Sequence, residues 1–302
     1  MVELQHVVDE LQTINDFARW AVSRFKEADL YYGHGTDNAW DEAISLILHV
    51  LSLDDQLPES AMYARLTRKE KIRLVEVLLR RIEQRMPAPY LTHKMSFAHL
   101  DFYVDQHVLI PRSPLAELIE KRFEPWLHND HASRILDLCT GSGCIAVACA
   151  AYLPEALVDA VDISPEALRI AAKNIDKHQL AERIQLYQGD LFKPLPENVQ
   201  YDIIVSNPPY VDAVDMANLP PEYQHEPTLA LAAGSDGLLI IEAILSEAKK
   251  YLKPQGVLIV EVGNSEKAVM DRYPHVPFTW LDFERGADGV FLLTHTDLQR
   301  YL

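Results

Sequence analysis

The sequence predicts an α/β protein: a doubly wound, mostly parallel sheet preceded by a small helical domain. Three observations predict it. From Arg134 onward, short apolar runs alternate with helical stretches, which calls for crossover helices between parallel strands. Before that point, residues 1 to about 86 carry apolar positions at helical spacing. At the far end, "FTWLDFERGADGVFLLTH" holds two strand-like runs with no room for a crossover helix between them, so they form an antiparallel hairpin.

In chain order, "VVDELQTINDFARWAVSRF" has the 3.6-residue period of an amphipathic helix. Thr67 and Glu70 have the spacing of a capping box, and "IRLVEVLLRRI" supplies the apolar face of the helix they open. "MPAPY" breaks that pattern, and "MSFAHLDFYV" alternates around a short break, as a small hairpin does. "LIPRSPLAELIEKRF" opens a helix near Ser113-Pro114, with proline in the first turn. The later strands are "RILDL", "ALVDAVDI", "RIQLY", "YDIIVSN" and "GVLIVEV", separated by helices such as "SPEALRIAAKNIDKH" and "DGLLIIEAILSEAKKYLK". The expected boundaries are a helical domain over 1–88, a linker with a β-hairpin over 89–110, and the α/β domain over 111–302.

At 302 residues the chain has room for one large domain or two ordinary ones. No apolar run reaches the length of a membrane span, and the acidic start "MVELQHVVDEL" lacks the basic flank of a signal peptide, so a cytoplasmic protein is expected. Cys139, Cys144 and Cys149 show no CxxC spacing and read as reduced thiols packed in a core helix. No metal site is expected; "HNDH", residues 128 to 131, reads as a polar loop. The net charge of −17 disfavours a phosphate backbone and favours a basic partner such as a ribosomal protein. Residues 65 to 85 run the other way, with eight basic and three acidic side chains. They read as a solvated helix face, with a weak RNA contact as the alternative.

"ILDLCTGSGCIAVACA" is a strand, a glycine-bearing loop and a helix. Gly141 and Gly143 let a ligand approach the backbone, and the helix start offers unpaired N–H groups. Taken alone, Gly141-x-Gly143-x-x-Ala146 also fits a dinucleotide fingerprint, so a nicotinamide enzyme competes here. Asp137 and Asp162 both fall at strand C-termini, where α/β sheets bind ligands. At Asp162 a carboxylate can accept both ribose hydroxyls of a nucleoside. Asp190, in "YQGDLF", suits the amino edge of an adenine, with Leu191 or Phe192 against the ring.

The order of these motifs, the "NPPY" after the fourth strand and the final hairpin resemble a class I S-adenosylmethionine-dependent methyltransferase over residues 111 to 302. One position departs from the usual glycine loop: Cys139 stands where the first glycine is expected. The resemblance implies S-adenosylmethionine as cofactor, with Asp137, Thr140, Gly141 and Gly143 along its methionine part and Asn207 as a further cofactor contact. Asn207-Pro208-Pro209-Tyr210 in this fold resembles enzymes that methylate an amino group conjugated to a π-system: adenine N6, cytosine N4 or the glutamine side-chain amide. The Asn207 side-chain oxygen and the Pro208 carbonyl can each accept one N–H of such a group. The two prolines aim that carbonyl, and Tyr210 can pack a flat face over the amide or base.

The acidic surface and the absence of an added target-recognition region argue against DNA. The helical N-terminal domain followed by "VLIPRSP" resembles the protein-(glutamine-N5) methyltransferases over nearly the whole length. This implies a substrate-recognition role for residues 1–88. "PRSPLAEL" is closer to the branch that methylates large-subunit ribosomal protein number three than to the release-factor branch, which carries a "PRPDTE"-like stretch. The release-factor branch and nucleic-acid amino-methyltransferases remain as alternatives. Arg112 and Glu117 are candidates near the pocket, Arg112 as a substrate contact, and "HEPTLALAAGSDGL" is expected to shape the pocket over the substrate.

Overall fold

A computed structural model describes residues 2–54, 56–127, 132–286 and 288–302. The "HNDH" stretch lies outside these. The chain divides into two compact units: residues 1–94 with 220–225, and residues 95–219 with 226–302.

The first unit is helical: α1 (Val2–Glu10), α2 (Ile14–Glu27), α3 (Ala39–Leu51), α4 (Arg68–Glu83) and the single-turn α5 (Ala88–Thr92). The helical period through "VVDELQTINDFARW" conceals a break, because Thr13 caps α2 in a capping box with Asp16 and ends the run begun by α1. The Thr67–Glu70 capping box opens α4 as expected. Phe17, Phe25, Leu46, Ile47, Leu74 and Leu78 meet in a fully buried core. Most of the basic side chains of residues 65–85 are exposed, as on a solvated face: Arg65, Arg68, Lys69, Arg73 and Arg80. Two turn inward, Arg81 pairing with Glu42 at 2.6 Å and Lys71 Nζ donating to the Leu11 carbonyl, while Arg68 pairs with Asp9 at the surface and the half-buried Arg85 donates to the Ala28 carbonyl. Residues 220–225 complete this unit, with the fully buried Glu222 accepting from the Tyr31 N–H and facing Arg81 and Arg85.

The second unit opens with the small hairpin of β1 (Met95–Phe97) and β2 (Leu100–Phe102). Its turn residues Ala98 and His99 both have positive φ, the signature of a two-residue hairpin turn. Then come α6 (Leu115–Glu120), β3 (Arg134–Leu138), α7 (Cys144–Tyr152), β4 (Leu157–Asp162), α8 (Pro165–Lys177), β5 (Ile184–Gln188) and β6 (Tyr201–Ser206). After β6 the chain forms α9 (Ala213–Asn218), α10 (Leu239–Tyr251), β7 (Leu252–Glu261), α11 (Glu266–Arg272), β8 (Thr279–Trp280), β9 (Val290–Thr294) and α12 (His295–Tyr301).

Seven strands form one sheet in the order β5-β4-β3-β6-β7-β9-β8. The strands from β5 across to β7 are parallel, and β9 runs antiparallel between β7 and β8. This is the doubly wound class I methyltransferase sheet with its antiparallel last strand. Alternate residues of the central strands feed two cores: Ile135, Ile203, Val205 and Ile259 face α7, while Leu136, Leu138, Ile204 and Leu258 face α10. α7 is apolar on all sides and buried from Cys144 to Ala150, with Ala146, Ala148 and Ala150 letting it pack tightly. Cys144 and Cys149 sit in α7 as buried free thiols, whereas Cys139 lies in the loop before it. Among the described residues no helix is long and apolar enough to cross a membrane.

Candidate active site

The parallel strands end together at one edge, and the site is built from the loops beyond their C-termini. Leu138 of β3 and Ser206 of β6 are register partners, and the Ser206 hydroxyl donates to the Leu138 carbonyl at 2.8 Å. This bond fixes the "NPPY" elbow beside the glycine loop. A cavity of about 280 Å³ opens there, walled by Thr140 and Gly141, by Asp162 and Ile163, by Asp190 and Leu191, by Asn207 and Pro209, and by Arg112 and Ser113. Pro227, Leu229 and Ala230, from "HEPTLALAAGSDGL", form part of the wall as well.

The glycine loop is held from beneath. Asp137 is fully buried and does not reach the cavity wall. Its Oδ2 accepts from the Thr140 hydroxyl at 2.5 Å and from the Ala146 N–H at 3.1 Å, while Oδ1 is buried with no hydrogen-bond partner. Burial pushes its carboxyl up to about 7, against the pull of the Thr140 and Ala146 donors and with the Asp162 charge adding to the rise. Gly143 also stands behind the wall; it has φ +76°, and a Cβ there would meet Ala171 Cβ and Cα at 3.1 and 3.2 Å. Gly141, at φ +54°, has nothing within 4 Å of where a Cβ would sit, so its backbone faces open space. Cys139 takes the left-handed φ of +60° that the missing glycine would have taken without strain. For a residue with a side chain this costs about 1–2 kcal/mol.

Asp162 ends β4 in the cavity wall. Its Oδ2 accepts the Gly141 N–H at 2.8 Å and its Oδ1 the Ser164 N–H at 2.9 Å. Burial raises its carboxyl above the ordinary value, opposed by these backbone donors. A carboxylate offers about four lone-pair sites, so capacity remains for two ribose hydroxyls. Asp190 is half-exposed and pairs with Lys193 at 2.6 Å. Of the two residues proposed to cover an adenine, Leu191 lines the cavity; Phe192 is buried in the core and stacks on Tyr251 at 4.7 Å instead. The open backbone at Gly141, the Asp162 carboxylate and the Leu191 wall fit S-adenosylmethionine.

The elbow itself is divided. Asn207 and Pro209 line the cavity, and Asn207 Oδ1 is buried without a hydrogen-bond partner. Leaving such an acceptor unsatisfied costs about 1–3 kcal/mol. Pro208 is buried, and Tyr210 lies outside the wall with its hydroxyl donating to Glu261 at 3.1 Å. Arg112 reaches the cavity, but its guanidinium is clamped by Glu226 in a bidentate pair at 2.7 and 2.8 Å. Glu117 is elsewhere: it accepts from the backbone N–H groups of Glu284 and Arg285 and pairs with Lys121, which holds its carboxyl below the ordinary range.

Ser113 lines the cavity, and Glu226 and Glu261 stand behind the wall, in pairings that the sequence does not mark. Glu226 is buried and also accepts the Ile110 N–H at 2.9 Å, so it joins "IPRSP" to "HEPTLAL". Glu261, at the end of β7, is buried between the Ser113 hydroxyl at 2.5 Å and the Tyr210 hydroxyl. In sequence, both glutamates look like ordinary loop or strand-end acids, and their partners lie 114 and 148 residues away.

Fold and site together define a methyltransferase of the doubly wound class. The family model for the methyltransferase small domain matches residues 121–219. The chain is 45% identical over 298 residues to the ribosomal protein uL3 glutamine methyltransferase of Francisella tularensis subsp. tularensis, covering 98% of this chain and 95% of that one. It is 49% identical over 290 residues to the protein of the same name from Neisseria gonorrhoeae, covering 96% of each. Among solved structures, the human methyltransferase 10 domain containing protein is 19% identical, with a TM-score of 0.47 over 65% of this chain and 89% of that one. The chain belongs to the ribosomal protein uL3 glutamine methyltransferase family.

Proposed function

We propose that this chain methylates the side-chain amide nitrogen (N5) of a glutamine in ribosomal protein uL3, using S-adenosylmethionine. The observation that carries the reading is Asn207 Oδ1: a buried acceptor without a partner among the described residues, in the wall of a cavity that also holds the Asp162 carboxylate. It occurs in a chain that matches uL3 glutamine methyltransferases over nearly its whole length.

An amide nitrogen is a poor nucleophile because its lone pair is delocalised into the carbonyl. Asn207 Oδ1 accepts one N–H of the glutamine amide, and the Pro208 carbonyl accepts the other. Held by both protons, the nitrogen can turn its lone pair out of conjugation. As it gains positive charge the two hydrogen bonds strengthen, so they favour the transition state over the ground state. S-adenosylmethionine supplies, when bound, a methyl carbon made electrophilic by the adjacent sulfonium. Asp162 holds the ribose hydroxyls, Asp190 and Leu191 take the adenine, and the backbone at 139–141 flanks the methionine part, braced by Asp137 and Thr140. The net charge of −17 suits a basic ribosomal protein as partner, and a ribosomal-protein substrate implies the cytoplasm as the place of work.

The test is transfer of labelled methyl to purified uL3, release factor and DNA in parallel. Label is expected on uL3 and is abolished by Gln→Ala at the acceptor. Label on release factor or on DNA with uL3 unlabelled overturns the substrate assignment.

A further inference from the structure

We propose that Glu261 is a positioning residue for methyl transfer, acting on the acceptor clamp through Tyr210; this rests on glutamine methylation being the reaction. Tyr210 is held in three ways. Its hydroxyl donates to Glu261 Oε1 at 3.1 Å, and its carbonyl accepts from the Ser265 hydroxyl at 2.8 Å. Its ring lies against Gly263, where a Cβ would stand 2.6 Å from Cε2. Gly263 therefore leaves room for a ring that would otherwise have to move.

The second oxygen of the same carboxylate accepts from the Ser113 hydroxyl at 2.5 Å, and Ser113 lines the cavity. Glu261 thus ties one wall of the cavity, the segment next to Arg112, to the exit of the elbow. Tyr210 lies two residues beyond Pro208. Fixing the tyrosine at both ring tip and carbonyl fixes the downstream end of a segment whose upstream end is pinned by the Ser206–Leu138 bond. Between those two points lie the two acceptors of the clamp. A buried carboxylate is a costly way to satisfy two hydroxyls. Its use here makes sense if the alignment it imposes matters, because a displacement of about 1 Å at a reacting group can cost on the order of 100-fold in rate.

The experiment compares Glu261→Leu, Glu261→Gln and Tyr210→Phe with the wild type, alone and combined. Glu261→Leu is expected to lower kcat roughly 10- to 100-fold while S-adenosylmethionine affinity stays within about twofold. Glu261→Gln, which keeps the shape and one accepting oxygen, restores most of kcat. Adding Tyr210→Phe to Glu261→Leu produces little further loss, because both break one linkage. Additive losses, or an equal loss of cofactor affinity, overturn the proposal. Where Glu261→Leu fails to fold, Tyr210→Phe decides: unchanged kcat overturns the assignment, and a loss with unchanged Tm supports it. A second readout needs no substrate: 3-fluorotyrosine at position 210 is expected to give one narrow ¹⁹F line that shifts and broadens in Glu261→Leu and recovers in Glu261→Gln. An unmoved line overturns the positioning role even if uL3 is the substrate. If uL3 is not methylated at all, the substrate reading falls, and the ¹⁹F comparison still decides whether Glu261 holds Tyr210.

Discussion

Replacing Asn207 by alanine separates two consequences of one buried oxygen. Asn207 Oδ1 has no partner among the described residues, so the folded chain carries an unsatisfied acceptor worth about 1–3 kcal/mol. Removing it relieves that penalty, and the packing that a small side chain takes with it is of similar size. The thermal midpoint of Asn207→Ala is therefore expected to equal or exceed that of the wild type. Turnover behaves in the opposite way. One of two acceptors facing developing positive charge is lost, at about 3 kcal/mol by analogy with a single oxyanion-hole donor, or roughly 100-fold in kcat. Affinity for S-adenosylmethionine should stay within a few-fold, since Asp162 and the loop at Gly141 are untouched. Single-turnover methyl transfer to uL3, calorimetry with the cofactor and a thermal melt measure the three quantities. A lowered Tm would mean that the oxygen supports the fold. A cofactor affinity that falls as far as kcat would refute its assignment to the acceptor amide.

Three further outcomes are expected. Because burial raises Asp137 from 3.8 to about 7, its stabilising contribution is complete below about pH 4 and is lost as pH rises through about 7; the shift corresponds to about 4 kcal/mol, and urea midpoints of Asp137→Asn should show a flatter pH dependence. Arg112→Ala removes both charge-assisted bonds to the buried Glu226 and should destabilise by about 2–4 kcal/mol, with part of the loss recovered in urea melts by adding Glu226→Gln. Gly143→Ala combines a left-handed backbone with contact on Ala171 and should cost about 2 kcal/mol or more in a thermal melt, whereas Gly141→Ala, with strain but no crowding, should cost about 1 kcal/mol.

Much of the sheet was legible because its signals are local. Fully buried parallel strands read as runs such as "RILDL" and "YDIIVS", and the spacing between Trp280 and Val290 left no room for a crossover helix. The elbow was legible because two prolines stop a strand visibly. The break between α1 and α2 was masked, since apolar residues on both sides of Thr13 keep the helical period while the cap turns the chain. Phe192 could not be told from Leu191 by sequence: neighbours in a loop point in different directions, and one of them found Tyr251 in the core. Arg112 was visible as a cation near the site but not as the partner of Glu226. Pairings across more than a hundred residues leave no local trace, which is also why the bond between Ser113 and Glu261 stayed hidden.

The placement of residues 220–225 bears on how this protein can be divided. The helical unit is assembled from two stretches of chain, and the shorter one brings the carboxylate that Arg81 and Arg85 face. No single cut releases that unit whole. A fragment ending near residue 94 keeps a buried guanidinium with one of its two acidic neighbours missing. A hybrid that grafts another family member's helices onto this catalytic half must carry its own version of the six residues around Glu222. The two halves are therefore expected to be inherited as a matched pair, not exchanged as interchangeable modules.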